Sequence, residues 1–544
     1  MNKKRIISAI AALSIFAGVM AGCGSKEANT TGNDEKMKIS VGFTKADESW
    51  KNDDYYKFIA DKMNIDIDFK TLSADSIGEK SRIWISSGDM PDMTYSDFLL
   101  DEYLKYGEQG MVATLPENWE KTYPNLGFSM AMTGAYKAMH EAGNGNFYGL
   151  LVPMDHYSRY LDDFRAAYAE GKDLKEVMDD NKYKYIDTYG FAYRKDWAEQ
   201  LGIKTDLIMD YDDFIDMVHK FKEADLGGVG ADNVVGIAVD YTEAPNIFIT
   251  AFNSSYKYFH LDESGKYVCG LLDDATTEGV KAYAEAYRTG VLSPGFYTQK
   301  TQDLNSLFCS QRSGIIFPRA EVSGLRTLRK DFEKSNPGKT AEECISVCWL
   351  RSPDGTISGR EAGNYNRAWY FSPKLSDEKF DRILQLADYV SSPDGGPQVR
   401  LGVPDVDYKK EENGEYTILR EKDENGTYPN LNTKYPSYDF FRYFLNPQFT
   451  VTTIPDPYME NLMRSLSAEK LANETKLLDW DLQRDFYAAD DYAKFNAAYD
   501  VNNLFAELVV SEGNIEESWN KKKAEFEAEA KKVADNMNKA IFGE

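Results

Sequence analysis

Cysteine is scarce in this sequence, with five in 544 residues. One lies near the start of the chain, and the other four are too few for the disulfide framework of a small secreted domain. The closest pair, four residues apart in "ECISVCWL", forms no zinc site because no histidine or second cysteine pair completes a ligand set. We expect the four later cysteines to be buried free thiols, with a disulfide as the alternative; they are Cys269, Cys309, Cys344 and Cys348.

Histidine is scarcer still, and the patterns of common enzyme sites are missing. None of the four histidines lies in an HExxH pattern or beside a nucleophile motif. The sequence also contains no GxSxG, P-loop or GxGxxG pattern. We therefore predict a protein that is not an enzyme and that holds no metal and no cofactor.

Positive charge is in short supply. The sequence has 63 lysine and arginine residues against 89 aspartate and glutamate residues, for a formal net charge of −26. Such an excess repels nucleic acids and anionic lipid surfaces, so we exclude both as partners. Hydrophobic residues make up 42% of the chain, which is typical of a globular protein with a substantial core.

The one long apolar run lies at the start of the chain. A basic start and an apolar stretch ending at Met20 precede two small residues and Cys23, the pattern of a secretory signal peptide. The sequence Met-Ala-Gly-Cys resembles the bacterial lipobox, in which the cysteine carries a lipid and becomes the mature N-terminus. We expect residues 1–22 to be removed, Cys23 to be the lipid attachment site, and residues 23–37 to form a flexible tether. An ordinary signal peptide with an incidental cysteine is the alternative.

Strand and helix patterns alternate through the rest of the chain. In a strand–helix–strand unit, we expect the two strands to be parallel and the crossover between them to be right-handed. We predict an α/β fold with mainly parallel sheets and a helical C-terminal region. The predicted strands lie at 39–43, 65–69, 93–95, 146–153, 189–194 and 234–239, and the clearest helices at 55–63, 76–87, 211–221, 277–289 and 517–541.

Seven segments occur along the chain in an order that resembles a known family. They are the lipobox at Cys23, "SGDMPDM" at 87–93, "FYGLLVP" at 147–153, "YRKDWAEQLGI" at 193–203, "GKYVCG…YRTGVLSPGF" at 265–296, "FCSQRSGIIF" at 308–317 and "VVSEGNIEESWNKKKAEFE" at 509–527. Together they resemble extracellular solute-binding proteins of family 1, the lipoprotein components of carbohydrate ABC transporters. The resemblance implies a two-lobed type 2 (Venus flytrap) periplasmic-binding-protein fold, a carbohydrate ligand, permease subunits as partners, and membrane contact only through the lipid anchor. We also expect a monomer.

The same resemblance implies where the chain passes between the lobes. Lobe closure about hinge strands would bury the ligand and create the surface that a permease recognises. We interpret Asp92 and Asp196, in the two most specific segments, as structural residues of a turn and a helix start. The expected division is lobe 1 over 38–153, lobe 2 over 154–350, a return to lobe 1 over 351–400, Tyr-rich loops and helices packing mainly on lobe 2 over 401–544, and hinge strands near 150–153 and 189–193.

One stretch departs from the pattern of that family. Many relatives carry a calcium loop, D-x-D-x-N-G-x-x-D, where this chain reads "ADLGGVGADN" at 224–233. Asp225 keeps the first position, but glycine and valine replace oxygen donors, and calcium needs about six to eight oxygen ligands. We predict no metal here, although Asp232 and Asn233 supply nearby oxygens.

Candidate ligand-binding residues follow from the position of loops. In open α/β sheets, ligands bind beyond the carboxyl ends of strands, and sugars favour carboxylates and arginine around the ring with an aromatic plate beneath it. Each candidate also has an ordinary interpretation, which is core packing for tryptophan and solvated surface for an acidic residue. The candidates are Asp47, Glu48, Trp50, Asp155, Asp240, Arg319, Glu321, Trp369 and Tyr370.

Three other functions remain open at this stage. A glycosidase also combines paired carboxylates with aromatic plates. The same fold could bind a peptide or a cationic ligand, because a fold does not determine its ligand. A surface receptor would close around its ligand in the same way, but a signalling partner instead of a permease would recognise the closed form.

Overall fold

The computed structural model describes residues 35–543 apart from several stretches. The predicted signal peptide, Cys23 and three candidate site residues, Asp155, Arg319 and Glu321, lie outside the described residues. Along the described part of the chain, no helix combines the length and the apolar character needed to cross a membrane. The residues outside the description are 1–34, 74–76, 97–99, 155–156, 158–159, 181, 184–185, 189, 318–321, 362, 413, 423–427, 430, 445–474, 479–488 and 544.

Strands and helices are numbered in chain order. The strands are β1 Met37–Thr44, β2 Ile65–Leu72, β3 Met93–Ser96, β4 Leu150–Pro153, β5 Ile186–Thr188, β6 Phe191–Arg194, β7 Ile208–Asp210, β8 Phe259–Leu261, β9 Tyr267–Cys269, β10 Ile315–Ile316, β11 Ile345–Arg351, β12 Ile357–Glu361, β13 Tyr365–Phe371, β14 Tyr408–Lys410, β15 Tyr416–Ile418 and β16 Thr475–Leu478. The helices are α1 Asp54–Met63, α2 Ile77–Ser87, α3 Leu100–Glu108, α4 Trp119–Thr122, α5 Pro124–Ala131, α6 Tyr136–Ala142, α7 Leu161–Ala169, α8 Leu174–Met178, α9 Lys195–Gln200, α10 Tyr211–Ala224, α11 Ala244–Phe248, α12 Asp274–Arg288, α13 Thr301–Cys309, α14 Val322–Ser335, α15 Ala341–Cys344, α16 Asp377–Ser391, α17 Gly395–Leu401, α18 Leu431–Lys434, α19 Tyr438–Tyr443, α20 Ala489–Ala498, α21 Val501–Val510 and α22 Ile515–Phe542.

The first lobe is built on a sheet with the strand order β2-β1-β3-β13-β4. Strand β1 pairs in parallel with β2 and β3, whereas β13 is antiparallel to both β3 and β4. The alternation of apolar and acidic residues explains why "IDIDF" forms part of strand β2. Ile65, Ile67 and Phe69 are buried, while Asp66 and Asp68 are half-exposed on the other face.

Aromatic rings from four parts of the chain meet in the core of this lobe. The ring centroid of Phe43 lies 5.2 Å from that of Tyr95 and 5.8 Å from that of Trp369. Phe440 packs edge-on against Phe43 at 5.6 Å and against Trp369 at 5.9 Å. Offset and edge-on contacts are the favoured arrangements for buried rings. Because Phe440 lies on α19, a late part of the chain completes the core of the first lobe.

The second lobe has its own sheet and its own core. Strand β6 lies between β10 and β11 and is antiparallel to both, and β11 continues in parallel with β7. Residues 234–239, predicted as a strand, add only a single parallel bridge from Ala238 to Ile316. The long helix α22 covers this lobe with Trp519, Phe526 and other apolar residues at helical spacing, and all of these are buried.

A ribbon of three strands connects the lobes. Strand β12 pairs with β5 on one side and with β16 on the other. Strand β11 of the second lobe leads into β12, and three residues separate β12 from β13 of the first sheet. The ribbon continues the sheet of the second lobe through β11 and lies where the chain crosses to the first lobe, and we call it the hinge ribbon.

The chain divides between the lobes differently from the sequence prediction. Helices α7 and α8 pack on the first lobe rather than the second, because Tyr157, Phe164 and Met178 share a cluster with Phe128 of α5. Helices α18 and α19 also pack on the first lobe, and α20, α21 and α22 pack on the second. The sheets are mixed rather than mainly parallel, because β13 is antiparallel to its neighbours in the first sheet and β6 is antiparallel to its neighbours in the second.

Two predictions about individual residues are confirmed. The four later cysteines are buried and unpaired, and burial raises the pKa of Cys269 and of Cys309 to about 12. The Asp92 carboxylate accepts hydrogen bonds from the backbone N–H and the hydroxyl of Ser40, at 2.7 and 3.0 Å, and forms an ion pair with Lys379 at 2.9 Å. Asp92 thus ties β1, the turn before β3 and α16 together.

Candidate functional site

The edge of the first sheet that faces the hinge forms one wall of the candidate site. The carboxyl ends of β1, β3 and β4 reach this edge, and Ala368 of β13 lies opposite Ser96 at the end of β3. Because β13 is antiparallel, its amino end around Tyr365 and Arg367 occupies the same edge. The hinge strand β12 enters β13 at this point, so this edge lies nearest to the second lobe.

Arg367 and Tyr95 form the centre of this wall. The half-buried guanidinium of Arg367 lies 5.3 Å from the centroid of the Tyr95 ring and donates from Nη1 to the Tyr95 hydroxyl at 3.4 Å. Burial raises the pKa of Tyr95, and Arg367 opposes this rise only in part. Tyr95 is 1% exposed and belongs to the core, so the pair presents at this edge the half-buried guanidinium of Arg367, a permanently charged fork of N–H donors.

Helix α19 brings a second arginine–tyrosine pair to the same place. The Arg442 guanidinium lies 4.4 Å from the centroid of the Tyr443 ring, donates to the Tyr443 hydroxyl at 2.5 Å and forms an ion pair with Asp439 at 3.4 Å. The half-exposed Tyr443 ring lies 6.4 Å from Tyr95, and its backbone oxygen accepts from Trp369 Nε1 at 3.2 Å. We call Tyr95, Arg367, Arg442 and Tyr443 the edge cluster. Its guanidinium donors and the half-exposed ring of Tyr443 suit hydroxyl-rich or anionic ligands.

A short turn forms the corresponding edge of the second lobe. Asp240 follows the segment bridged to β10, and its carboxylate accepts from the backbone N–H groups of Thr242 and Glu243 at 3.1 and 3.0 Å and from the Thr242 hydroxyl at 2.6 Å. Asp240 is 3% exposed, so it organises the turn that precedes α11. The side chains of Tyr241, Thr242 and Glu243 in this turn are half-exposed.

The predicted residues Asp47, Glu48 and Trp50 follow the end of β1, and each contacts nearby residues of the first lobe. Asp47 is exposed and caps the following turn by accepting from the Ser49 N–H at 2.8 Å, and hydrogen bonds to Ser49 lower the pKa of Asp47. Glu48 accepts from the backbone N–H of Phe69 at 2.9 Å. Trp50 is buried and packs edge-on against Phe69 at 5.3 Å, which places it among core residues.

Trp369 and Tyr370 lie in the middle of the sheet, where they are 0% and 1% exposed. They pair opposite Tyr95 and Thr94 of β3, four and five residues from Tyr365 at the cleft end of β13. The expectation of a cleft position for these two residues assumed that the carboxyl end of their strand reaches the ligand. Since β13 is antiparallel, its amino end reaches the cleft instead. The residue that the sequence reasoning missed is therefore Arg367, two residues before Trp369.

The loop that replaces the calcium pattern closes on itself. Asp225 has a left-handed backbone conformation with φ of 39°, and its carboxylate accepts from the N–H groups of Val229 at 3.0 Å and Gly230 at 2.8 Å. Asn233 donates to the Val229 carbonyl at 2.9 Å. Hydrogen bonds within the loop thus occupy the carboxylate that would bind a cation. No group of three potential metal ligands occurs among the described residues, and metal independence stays a prediction.

Comparison with known proteins was made at the levels of sequence and structure. No protein-family profile and no curated protein sequence matches the chain. Among solved structures, the substrate-binding protein FusA of an S. pneumoniae ABC transporter, in complex with kestose, has a TM-score of 0.64 at 17% identity, covering 92% of this chain and 98% of its own. An HMO-binding, ABC-transporter-associated solute-binding protein from Bifidobacterium longum infantis has a TM-score of 0.63 at 15% identity, covering 93% and 98%.

A third solved structure, the alginate-binding protein AlgQ2 without calcium ion, has a TM-score of 0.61 at 16% identity, covering 93% of this chain and 97% of its own. These similarities extend over both lobes. The chain therefore has the two-lobed fold of solute-binding proteins, and the predicted two-lobed α/β fold is confirmed apart from the direction of its strands. At such low identity, the similarity shows the fold alone.

Proposed function

We propose that this protein is the extracellular solute-binding component of an ABC importer and that it captures a carbohydrate, specifically an oligosaccharide, between its lobes. One observation carries the proposal: more than nine-tenths of the chain follows the fold of proteins described as binding kestose, HMO and alginate. The edge cluster supports it, because guanidinium donors beside tyrosine rings match the hydroxyl edges and C–H faces of sugars.

Capture would proceed by closure about the hinge ribbon. Arg367 and Tyr443 would contact the ligand from the first lobe, while Tyr241 and Glu243 contact it from the second. The free energy of closure equals the ligand's preference for the closed over the open arrangement. The closed pair of lobes would then present the permease with a surface that the open form lacks. Asp47, Glu48, Asp155, Arg319 and Glu321 remain candidates for further ligand contacts.

We also propose that Cys23 carries a lipid that anchors the protein to the extracytoplasmic face of the membrane. The apolar run and the small residues before Cys23 support this proposal. Expression of the full chain in a bacterium should place it in the detergent phase of a Triton X-114 partition, and the variant Cys23→Ala should move it to the aqueous phase. Aqueous partition of both proteins would contradict the anchor.

The function is tested by a thermal-shift screen of the protein lacking residues 1–23 against oligosaccharides, peptides and polyamines. A ligand that binds only the folded state raises the unfolding midpoint in a concentration-dependent way. We expect a shift with one class of oligosaccharide and recovery of the intact sugar afterwards. Shifts with peptides or polyamines alone would contradict carbohydrate capture, and recovery of a cleaved sugar would show a glycoside-acting enzyme.

A further inference from the structure

The edge cluster carries positive charge in a chain that is strongly acidic. The formal net charge of the chain is −26, yet the edge cluster contains two arginines and no carboxylate. Burial raises the pKa of the Tyr95 hydroxyl, and this rise is opposed by a hydrogen bond from Arg367 and by the charges of both Arg367 and Arg442. The two guanidiniums therefore lie close enough to act on one buried phenol. Like charges held so near each other repel, and an anion placed between them relieves the repulsion.

The protein itself neutralises these two charges only in part. Among the described residues, Arg367 has no carboxylate within ion-pair distance, and its hydrogen bond at 3.4 Å goes to the neutral Tyr95 hydroxyl. Arg442 forms an ion pair with Asp439 at 3.4 Å, but the side chains of both residues are about one-third exposed, so solvent weakens the pair. In the described part of the chain, one carboxylate thus accompanies two guanidiniums.

We propose that the ligand of the cleft is an acidic oligosaccharide and that Arg367 and Arg442 bind one of its carboxylates, as found on a uronate or a sialate. The proposal rests on the proposed function and specifies its substrate class. A guanidinium presents parallel N–H donors that match the two oxygens of a carboxylate. Both side chains are accessible to a ligand, because Arg442 is 33% exposed and Arg367 is half-buried.

Closure of the lobes favours an acidic sugar over a neutral one. When the second lobe covers the edge cluster, both guanidiniums lose contact with water, and an uncompensated charge removed from water is strongly disfavoured. A ligand carboxylate replaces the lost water and cancels the excess charge, whereas the hydroxyls of a neutral sugar leave the charge in place. A cationic ligand would add to it.

The negative charge elsewhere on the protein does not oppose this assignment. Salt screens interactions between exposed charges beyond about 8 Å at physiological ionic strength, so a bound carboxylate responds mainly to its nearest neighbours. The half-exposed ring of Tyr443 lies 4.4 Å from the Arg442 guanidinium, and it offers an apolar face to the C–H groups of the same sugar unit.

The test compares acidic oligosaccharides with their own methyl esters, which keep the sugar and remove the charge. Trigalacturonate, trimannuronate and sialyllactose, each beside its methyl ester, are titrated into the mature protein by calorimetry, together with neutral maltotriose and cellotriose. We expect at least one acid to bind, and to bind about tenfold or more tightly than its ester, the factor that corresponds to the loss of one charged hydrogen bond.

The variant Arg442→Gln separates a ligand contact from a structural effect. It should weaken the binding of the acid about tenfold and that of the ester by less than about twofold, because the ester offers no charge to Arg442. Damage to the fold would weaken both ligands equally. The matched control is Arg329→Gln on α14, where the side chain pairs with Glu333, and it should change neither affinity.

The outcomes distinguish this proposal from the proposed function. Binding of neutral sugars alone, equal affinity for an acid and its ester, or an acid that binds Arg442→Gln as tightly as the wild type would overturn the proposal and leave carbohydrate capture intact. Binding of peptides or polyamines without binding of any saccharide would overturn both.

Discussion

Arg194 donates two hydrogen bonds to Asp196, from Nε to Oδ1 at 2.7 Å and from Nη2 to Oδ2 at 2.5 Å. The guanidinium is fully buried, 4.5 Å from the centroid of the Trp197 ring and 5.2 Å from that of Phe332. A bidentate pair of this kind fixes the relative orientation of the elements that carry it. The "YRKDW" segment therefore joins β6, α9 and α14 in the second lobe, and the structural interpretation of Asp196 is confirmed.

Removal of the Asp196 charge should destabilise the second lobe. In Asp196→Asn, the buried Arg194 loses its charged partner, and breaking a buried pair costs about 3 kcal/mol. Urea unfolding monitored by tryptophan fluorescence measures the loss. The control is Asp216→Asn, where an exposed carboxylate pairs with Lys220 and the expected cost is below about 0.5 kcal/mol. Equal effects of the two variants would contradict a structural role for the Arg194–Asp196 pair.

Replacement of Arg367 should weaken ligand binding more than it weakens the fold. Arg367→Ala removes a charged donor from the edge cluster, and such hydrogen bonds contribute about 1.5–3 kcal/mol, a loss of tenfold or more in affinity. The unfolding free energy should fall by less than about 1 kcal/mol, the scale of one exposed cation–π contact. Calorimetric titration with the sugar found in the screen measures the affinity.

The matched control for this variant is Arg329→Ala, the same replacement on the surface of α14, where the side chain pairs with Glu333. Its affinity for the sugar should equal that of the wild type. An unchanged affinity in Arg367→Ala would exclude the edge cluster from the ligand site, whatever the outcome of the screen.

The pair of His260 and Asp273 should make stability depend on pH. His260 Nε2 lies 2.8 Å from Asp273 Oδ2. Burial alone lowers the pKa of His260, but the hydrogen bond to Asp273 and its charge outweigh burial and raise the pKa overall. Because the folded pKa exceeds the unfolded one, the stabilisation is complete below about pH 6.5, the ordinary histidine value, and is lost as pH rises through the folded pKa.

Urea unfolding of wild type and His260→Gln at acidic and alkaline pH measures this effect. Near pH 5.5, we expect the unfolding free energy of the wild type to exceed that of His260→Gln by about 0.5–1 kcal/mol. Near pH 8.5, the difference between the two proteins should be smaller. Asp273→Asn should remove the same pH-dependent part, and the double variant should lose no more than either single one. A difference that is equal at both pH values would contradict the pair.

Chelation should leave this protein unchanged, because its loop at 224–233 is closed by its own hydrogen bonds. We expect EDTA and added calcium to leave the unfolding midpoint the same, whereas Asp225→Ala should lower the unfolding free energy by about 1–2 kcal/mol through the loss of two hydrogen bonds to backbone N–H groups. A rise of the midpoint with calcium that disappears in Asp225→Ala would reverse the prediction and identify a cation site.

Local patterns along the chain were sufficient for much of the fold. The alternation in "IDIDF" predicts β2 and its buried face, and the spacing of Trp519 and Phe526 predicts the inner face of α22. Such patterns depend on neighbours within one element, so they can be read from the sequence. The ligand-binding candidates depended on which end of a strand reaches the cleft, and that depends on the direction of pairing.

Strand β13 illustrates this limit. Its apolar run predicts a strand equally well in either direction, because side chains alternate between faces regardless of the neighbour's orientation. Pairing with β3 and β4 is antiparallel, so Arg367 is brought to the cleft and Trp369 and Tyr370 are buried.

The lobe to which the late segments belong was decided in the same way. Residues such as Phe440 are apolar in either environment, and contact with Phe43 and Trp369 assigns them to the first lobe. The amino-acid sequence therefore determined the elements and their buried faces through local periodicity. Contacts between residues far apart in the chain decided the strand directions, the assignment of segments to lobes and the side chains that line the cleft, because hydrophobic burial does not depend on which partner provides it.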